Sequence, residues 1–204
     1  MSGAPSRSPE EARELLVEQL VELEPRAAAL GEGGLHAVAA WRLSHAYEHE
    51  AAELAWRRVA ELEPRSLEAA YQRGRCLLEL GRFADAAQCF RGAIAIDAEL
   101  RGDPDAELLD WIEDDPAYRL GNCHHALGEL EAAVAAYELS ARRNTVAGEA
   151  LREIARCHLA QERPADALEA LGRLARRATT FARRAEIQAL RADAERMLRS
   201  PTAG

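Results

Sequence analysis

The chain has 204 residues, 48% of them hydrophobic and only 5% aromatic, with a formal net charge of −9. That is enough sequence for one sizeable core or a short repeat array. The acidic balance excludes nonspecific nucleic-acid binding, which needs clustered cations to neutralise phosphates. No run approaches the ~20 apolar residues of a membrane-spanning helix, and the opening MSGAPSRSPEE lacks the apolar core of a signal peptide. Four irregularly spaced cysteines do not form a disulfide framework. The expectation is a soluble cytoplasmic protein without a membrane partner.

Ala and Leu dominate, and Pro and Gly fall mostly between apolar runs, so the composition reads as all-α. Residues 1–7 are expected to be disordered. The first helix starts at Ser8-Pro9-Glu10-Glu11, where Ser8 fits the N-cap, Pro9 the first helical position and Glu11 the return partner of a capping box. Leu15, Leu16, Leu20 and Leu23 give it an apolar stripe. Residues 8–32 are read as this capping helix and an Ala/Gly linker. Leu20–Arg26 (LVELEPR) echoes Val59–Arg65 (VAELEPR), as the second helix of a truncated repeat would.

Leu120–Tyr137 (LGNCHHALGELEAAVAAY) reads as two amphipathic helices joined at Leu127-Gly128. Its pattern returns at Arg73–Phe90 and, degraded, at Ile154–Leu171, with a period of 34 residues once an insertion is removed. Self-similarity at that period predicts stacked helix-turn-helix units. The units are placed at 33–66, 67–100, 114–147 and 148–181, with the insertion at 101–113. A terminal helix over 182–199 carries Ala185, Ile187, Ala189, Leu190, Ala194, Met197 and Leu198, and residues 200–204 form a tail. Gly74 and Gly121 permit close helix approach, with Phe90 or Tyr137 filling the space beside them. Gly81 and Gly128 can take the left-handed conformation that ends the first helix of a pair.

On these slots the chain resembles the tetratricopeptide repeat (TPR) family. Leu120-Gly121, Gly128, Ala133 and Tyr137 match in the third unit, and Gly74, Gly81, Ala86, Phe90 and Ala93 match in the second, where Arg73 replaces a Leu. The first unit keeps Ala52, Trp56 and Pro64 but has Tyr47 for the turn Gly. The fourth keeps Ala155, Ala167 and Leu171 and has Glu162 there. The resemblance implies an all-α α-solenoid, a right-handed superhelix whose first helices line a concave groove.

Chemistry-bearing pairs are absorbed by the register. Cys76, Cys123 and Cys157 share one small core slot, where a free Cys acts as a small hydrophobe. His124 and His158 share a packed slot, and neighbours in sequence point about 100° apart, poor geometry for joint ligation. His45 and His49 have helical ligand spacing, but no Glu follows His45 and they read as a solvated pair. There is no nucleophile elbow, P-loop or kinase signature. The expectation is therefore no enzyme, no metal and no cofactor.

The insertion combines Leu108, Leu109, Trp111 and Ile112 with several acids. It either packs on the stack as an extra helix, with Trp111 at its edge, or presents Leu108, Trp111 and Ile112 to a partner. In the groove implied by the resemblance, Trp41, Arg75, Asn122 and Arg156 form one column. Tyr71, Tyr118 and Arg152 belong to a second column and His125 to a third. Aromatics with Arg and Asn suit a peptide: Arg forks onto carboxylates, and Tyr or Trp supplies rigid contact area. The slots of the family's carboxylate clamp, which reads chaperone tails, are not filled by the required Lys and Asn residues.

The leading expectation is a non-catalytic adaptor holding a protein or peptide segment in the groove. Residues 1–139 carry 13 Arg against 27 Asp and Glu, whereas residues 140–204 carry 13 Arg against 8, giving −14 and +5. An alternative reading is therefore a homo-oligomer that docks its acidic front on the basic end of a neighbour. A TPR-type secretion chaperone holding an apolar export segment is a further alternative.

Overall fold

A computed structural model describes residues 8–23, 31–101, 115–143, 147–177 and 181–199. Among them there are helices and turns only: α1 (Pro9–Leu23), α2 (Gly31–His45), α3 (His49–Leu62), α4 (Leu67–Glu79), α5 (Phe83–Arg101), α6 (Pro116–Ala126), α7 (Leu130–Arg143), α8 (Ala147–Ala160), α9 (Pro164–Ala175) and α10 (Phe181–Arg199). The chain divides into two compact units, Met1–Leu108 and Leu109–Gly204. The division falls inside the expected insertion. Leu108, Trp111 and Ile112 lie outside the described residues.

In the first unit each helix packs on its neighbours in sequence, and α1 packs on both α2 and α3. In the second unit α6 to α10 do the same, with an added contact between α8 and α10. Nearest-neighbour packing of helical hairpins is the physical content of an all-α helical-repeat solenoid, since no hairpin buries its apolar face alone.

The α1 entry is the expected capping box. The Glu11 amide donates to Ser8 Oγ at 3.2 Å and the Ser8 amide donates to the Glu11 carboxylate at 2.8 Å. Leu20 is buried, and Ala12 and Leu16 pack on a core of Trp56, Val59 and Leu43. Asp115 opens α6 in a similar way, accepting from the Ala117 amide at 2.9 Å ahead of Pro116.

The Ala/Gly linker is expected through residue 32, and α2 begins at Gly31. Its first turn is held to α3, where Arg58 donates to Glu32 at 2.6 Å. A Cβ at position 33 would meet the end of the exposed Glu63 side chain, which would have to swing aside. Among the described side chains of α10, Ile187 and Ala194 are buried, with Leu190 packed beside them. Ala185, Ala189 and Leu198 are exposed, because a helix resting chiefly on one neighbour buries a stripe and not a broad face.

All four hairpins turn on one motif. Tyr47, Gly81, Gly128 and Glu162 have φ of 61°, 71°, 75° and 56°. At each, the amide of the next residue donates to a carbonyl five residues back: Glu48 to Leu43, Arg82 to Leu77, Glu129 to His124 and Arg163 to His158, at 2.8–3.0 Å. This is the Schellman termination, which needs a left-handed residue at its corner. Tyr47 and Glu162 occupy it without being glycine, so the backbone keeps the repeat where the sequence departs from it. A bulky side chain there is a conformational outlier.

Behind each central turn the helices touch through glycine. A Cβ on Gly74 would stand 2.9 Å from Phe90 Cε1, and one on Gly121 would strike the Tyr137 ring. Phe90 and Tyr137 are almost wholly buried. Arg73, in a slot where the family has Leu, is matched by the buried carboxylate of Glu53 from α3 at 2.8 Å.

Three outcomes follow. Gly121→Val overpacks the α6–α7 contact and lowers unfolding free energy by about 2–3 kcal/mol in urea titration. Tyr47→Gly and Glu162→Gly relieve the left-handed strain and each raise it by about 0.5–1 kcal/mol, net of the entropy of glycine. His36, little exposed between α1 and α3, has its ionisation held below the ordinary histidine range by burial and then by Arg13, against the pull of Glu32 and with a further push from Arg58. The unfolded chain therefore takes up a proton at His36 before the folded one does, and stability drops as pH falls through about 6.5. His36→Leu flattens that part of the urea-midpoint profile between pH 7 and 5.5; an unchanged slope contradicts the assignment.

Candidate functional site

The first helices of the first two hairpins, α2 and α4, leave a cleft of about 290 Å³ between them. It is lined by Trp41, Ser44, His45, Tyr47, His49, Gln72, Arg75, Cys76 and Glu79. Trp41 is fixed on three sides. Its indole N–H donates to Glu68 at 2.6 Å, its ring stacks on His45 at 5.7 Å, and it meets the buried Trp56 edge-on at 5.8 Å. Burial holds the Glu68 carboxyl above the usual carboxylate range, against the opposing pull of the Trp41 hydrogen bond. An aromatic surface held this way loses little side-chain entropy on contact.

Arg75 is exposed on the opposite wall and donates to the buried Gln72 side chain at 3.3 Å. Among the described residues no carboxylate lies within ion-pairing distance of its guanidinium. At the floor, burial pushes the Cys76 thiol up to about 11, with Ser44 3.9 Å away. The thiol stays protonated at neutral pH and is a packing group, not a nucleophile. Burial pushes Cys157 up to about 11 as well.

The other groove candidates have different surroundings. Tyr71 is 3% exposed and packs edge-on against Phe90, so its ring belongs to the core and does not line the cleft. In the second unit Tyr118 is half-buried against Tyr137, and Asn122 accepts from the Tyr137 hydroxyl at 2.8 Å. His125 is exposed in the last turn of α6. Arg152 and Arg156 both bind the buried Glu153 at 3.0 Å, and Arg156 also reaches Glu186 of α10 at 3.1 Å. These two guanidiniums tie α8 to the terminal helix. Arg75 and Arg156 share a repeat slot, but Arg75 has no such carboxylate and Arg156 has two.

Of the lining residues, Trp41 and Arg75 are the groove candidates that the sequence supplies. His45 was read as solvated, although its place four residues after Trp41 puts both on one helix face. Tyr47 stands in the sequence only as a residue in place of the turn glycine, and no sequence pattern marks Glu79, four residues after Arg75. Among the described residues no cluster of three His, Cys, Asp or Glu could hold a metal ion, and no helix is long and apolar enough to cross a membrane.

Helical hairpins stacked on nearest neighbours, with a left-handed corner every 34 residues outside the insertion, define a class of α-helical repeat proteins. Tetratricopeptide repeat profiles match residues 36–107 and 115–145, together half of the chain. The chain belongs to the tetratricopeptide repeat family. No curated protein matches the sequence significantly. Among solved structures, a MamA protein is 16% identical with a TM-score of 0.60, covering 81% of this chain and 87% of its own. PilF of Pseudomonas aeruginosa is 16% identical at 0.58, covering 97% and 95%. PilW, a type IV pilus biogenesis factor, is 18% identical at 0.58, covering 92% and 83%. At these identities the likeness is one of fold.

The two arginines predict opposite outcomes. Arg156→Glu sets a third acid beside Glu153 and Glu186 and costs about 1 kcal/mol or more of stability. Arg75→Glu stays within about 0.5 kcal/mol of wild type. Urea unfolding monitored by circular dichroism checks both.

Proposed function

We propose that this protein is a non-catalytic adaptor that holds a segment of a protein partner against the first helices of its repeats. The observation that carries the reading is the α2–α4 cleft, where the immobilised Trp41 faces Arg75, a guanidinium without an internal carboxylate among the described residues. Rigid aromatic area beside an uncommitted Arg is the composition of a binding hot spot. In the second unit, taken by itself, Asn122 and His125 are candidate contacts, whereas Arg152 and Arg156 serve α10 first. The buried, protonated thiols of Cys76 and Cys157 and the family membership support a binding role over a catalytic one. Four free cysteines support a reducing, cytoplasmic setting.

A second reading, self-assembly of the acidic front on the basic end, is favoured by the −14 and +5 charge division. Sedimentation at low and high salt separates the two: self-assembly requires a concentration-dependent oligomer that salt disperses, and a monomer throughout excludes it.

The adaptor reading is tested by affinity capture with crosslinking, comparing wild type with Trp41→Ala and Arg75→Glu. A partner retained by wild type and lost from both variants, at unchanged helical circular dichroism, is the expected result. Equal capture by all three proteins removes the cleft from the binding surface.

A further inference from the structure

Tyr47 combines two observations that packing does not explain. Its φ of 61° carries the steric cost of a bulky residue in the left-handed region, in a turn where glycine serves in the two central repeats. Its ring recovers little of that cost inside the protein, being 82% exposed with an edge contact to His49. It projects at the lip of the α2–α4 cleft and also borders a second cleft beside α1, lined by Pro9, Ala12 and Leu80. Strain kept at an exposed aromatic points to a contact made outside the free chain. Glu162 is the internal control, since it has the same turn and strain without an aromatic ring.

The cleft also has a charge pattern. Arg75 and Glu79 lie one helical turn apart on α4, about 6 Å along its axis. Arg75 donates to Gln72, and among the described residues neither it nor Glu79 makes an ion pair. In an extended peptide, residues i and i+2 face the same way about 7 Å apart, while residue i+1 faces the opposite wall. An extended segment in the cleft thus meets Arg75 and Glu79 with two alternate side chains and the Trp41–His45 stack with the one between.

We propose that the cleft selects an extended segment of acidic–apolar–basic pattern, with its acid on Arg75, its base on Glu79 and its apolar residue on Trp41, and that Tyr47 closes over it as a binding residue. This rests on the adaptor reading and specifies the ligand of the same site. The pattern carries no net charge, so recognition comes from placement and not from bulk attraction.

The test is an NMR titration of the full chain, following the Trp41 indole N–H assigned with Trp41→Phe. The probes are a capped pentapeptide with Asp-Leu-Arg at its centre and a neutral analogue with Asn-Leu-Gln. The charged peptide is expected to bind at least about ten-fold more tightly than the neutral one, with Arg75→Glu and Glu79→Arg each removing about that factor. Tyr47→Gly is expected to raise the melting temperature yet weaken binding, while Glu162→Gly raises it and leaves the titration unchanged. Equal binding of the two peptides overturns the charge pattern and leaves the cleft standing as a binding surface. Unchanged affinity in Tyr47→Gly overturns the role of Tyr47. No response to either peptide overturns the proposal, and the capture comparison with Trp41→Ala then decides the adaptor reading separately.

Discussion

A left-handed residue at the end of every first helix is the constraint on which the rest of the structure depends. It lets the chain reverse within a Schellman turn, so that the second helix falls back along the first. Once the helices are antiparallel, their separation is set by whatever stands at the crossing. In the two central hairpins that is a glycine against a buried ring, Gly74 on Phe90 and Gly121 on Tyr137. Close approach buries the apolar stripe of each hairpin and leaves the next stripe to be covered by the following helix. The terminal helices α1 and α10 do that covering at the two ends of the chain.

The same geometry makes a site out of surface residues. Trp41 and Arg75 are a full repeat apart in sequence, and stacking brings them to opposite walls of one cleft. Trp41 is immobilised by Glu68, His45 and Trp56, three neighbours from three helices, whereas among the described residues Arg75 is steadied by Gln72. In the proposed adaptor role, a fixed aromatic and an adjustable cation divide the work of recognition: the ring supplies area at low entropic cost, and the guanidinium supplies direction.

How much of this was legible in the sequence depended on the range of the interaction. The Ser8–Glu11 capping box is local, and its residue types announce it. Gly81 and Gly128 are also plain, because few other residues suit a left-handed corner. Tyr47 and Glu162 violate that chemistry and are recovered only through the register, since the flanking helices enforce the turn. The groove candidates were harder. Tyr71 sits in an inner-face slot, yet Phe90 draws its ring into the core. Arg75 and Arg156 occupy the same slot, and three residues before them stand Gln72 and Glu153, a difference that helical spacing reports. Glu186, from a later helix, also lies beside Arg156, and no pattern along the chain reports that contact across 30 residues. The His45–Trp41 stack was within reach of helical spacing, but metal ligation was the only chemistry weighed for that histidine.

In the proposed adaptor role, partners meet this protein on the first-helix wall at Arg75. Site-specific incorporation of a photoreactive phenylalanine derivative at position 75, and separately at the exposed position 88 on α5, tests it most directly in native extract. A discrete covalent adduct is expected from position 75 and none from position 88. An adduct formed only from position 88 contradicts it, and would place recognition on the second helices.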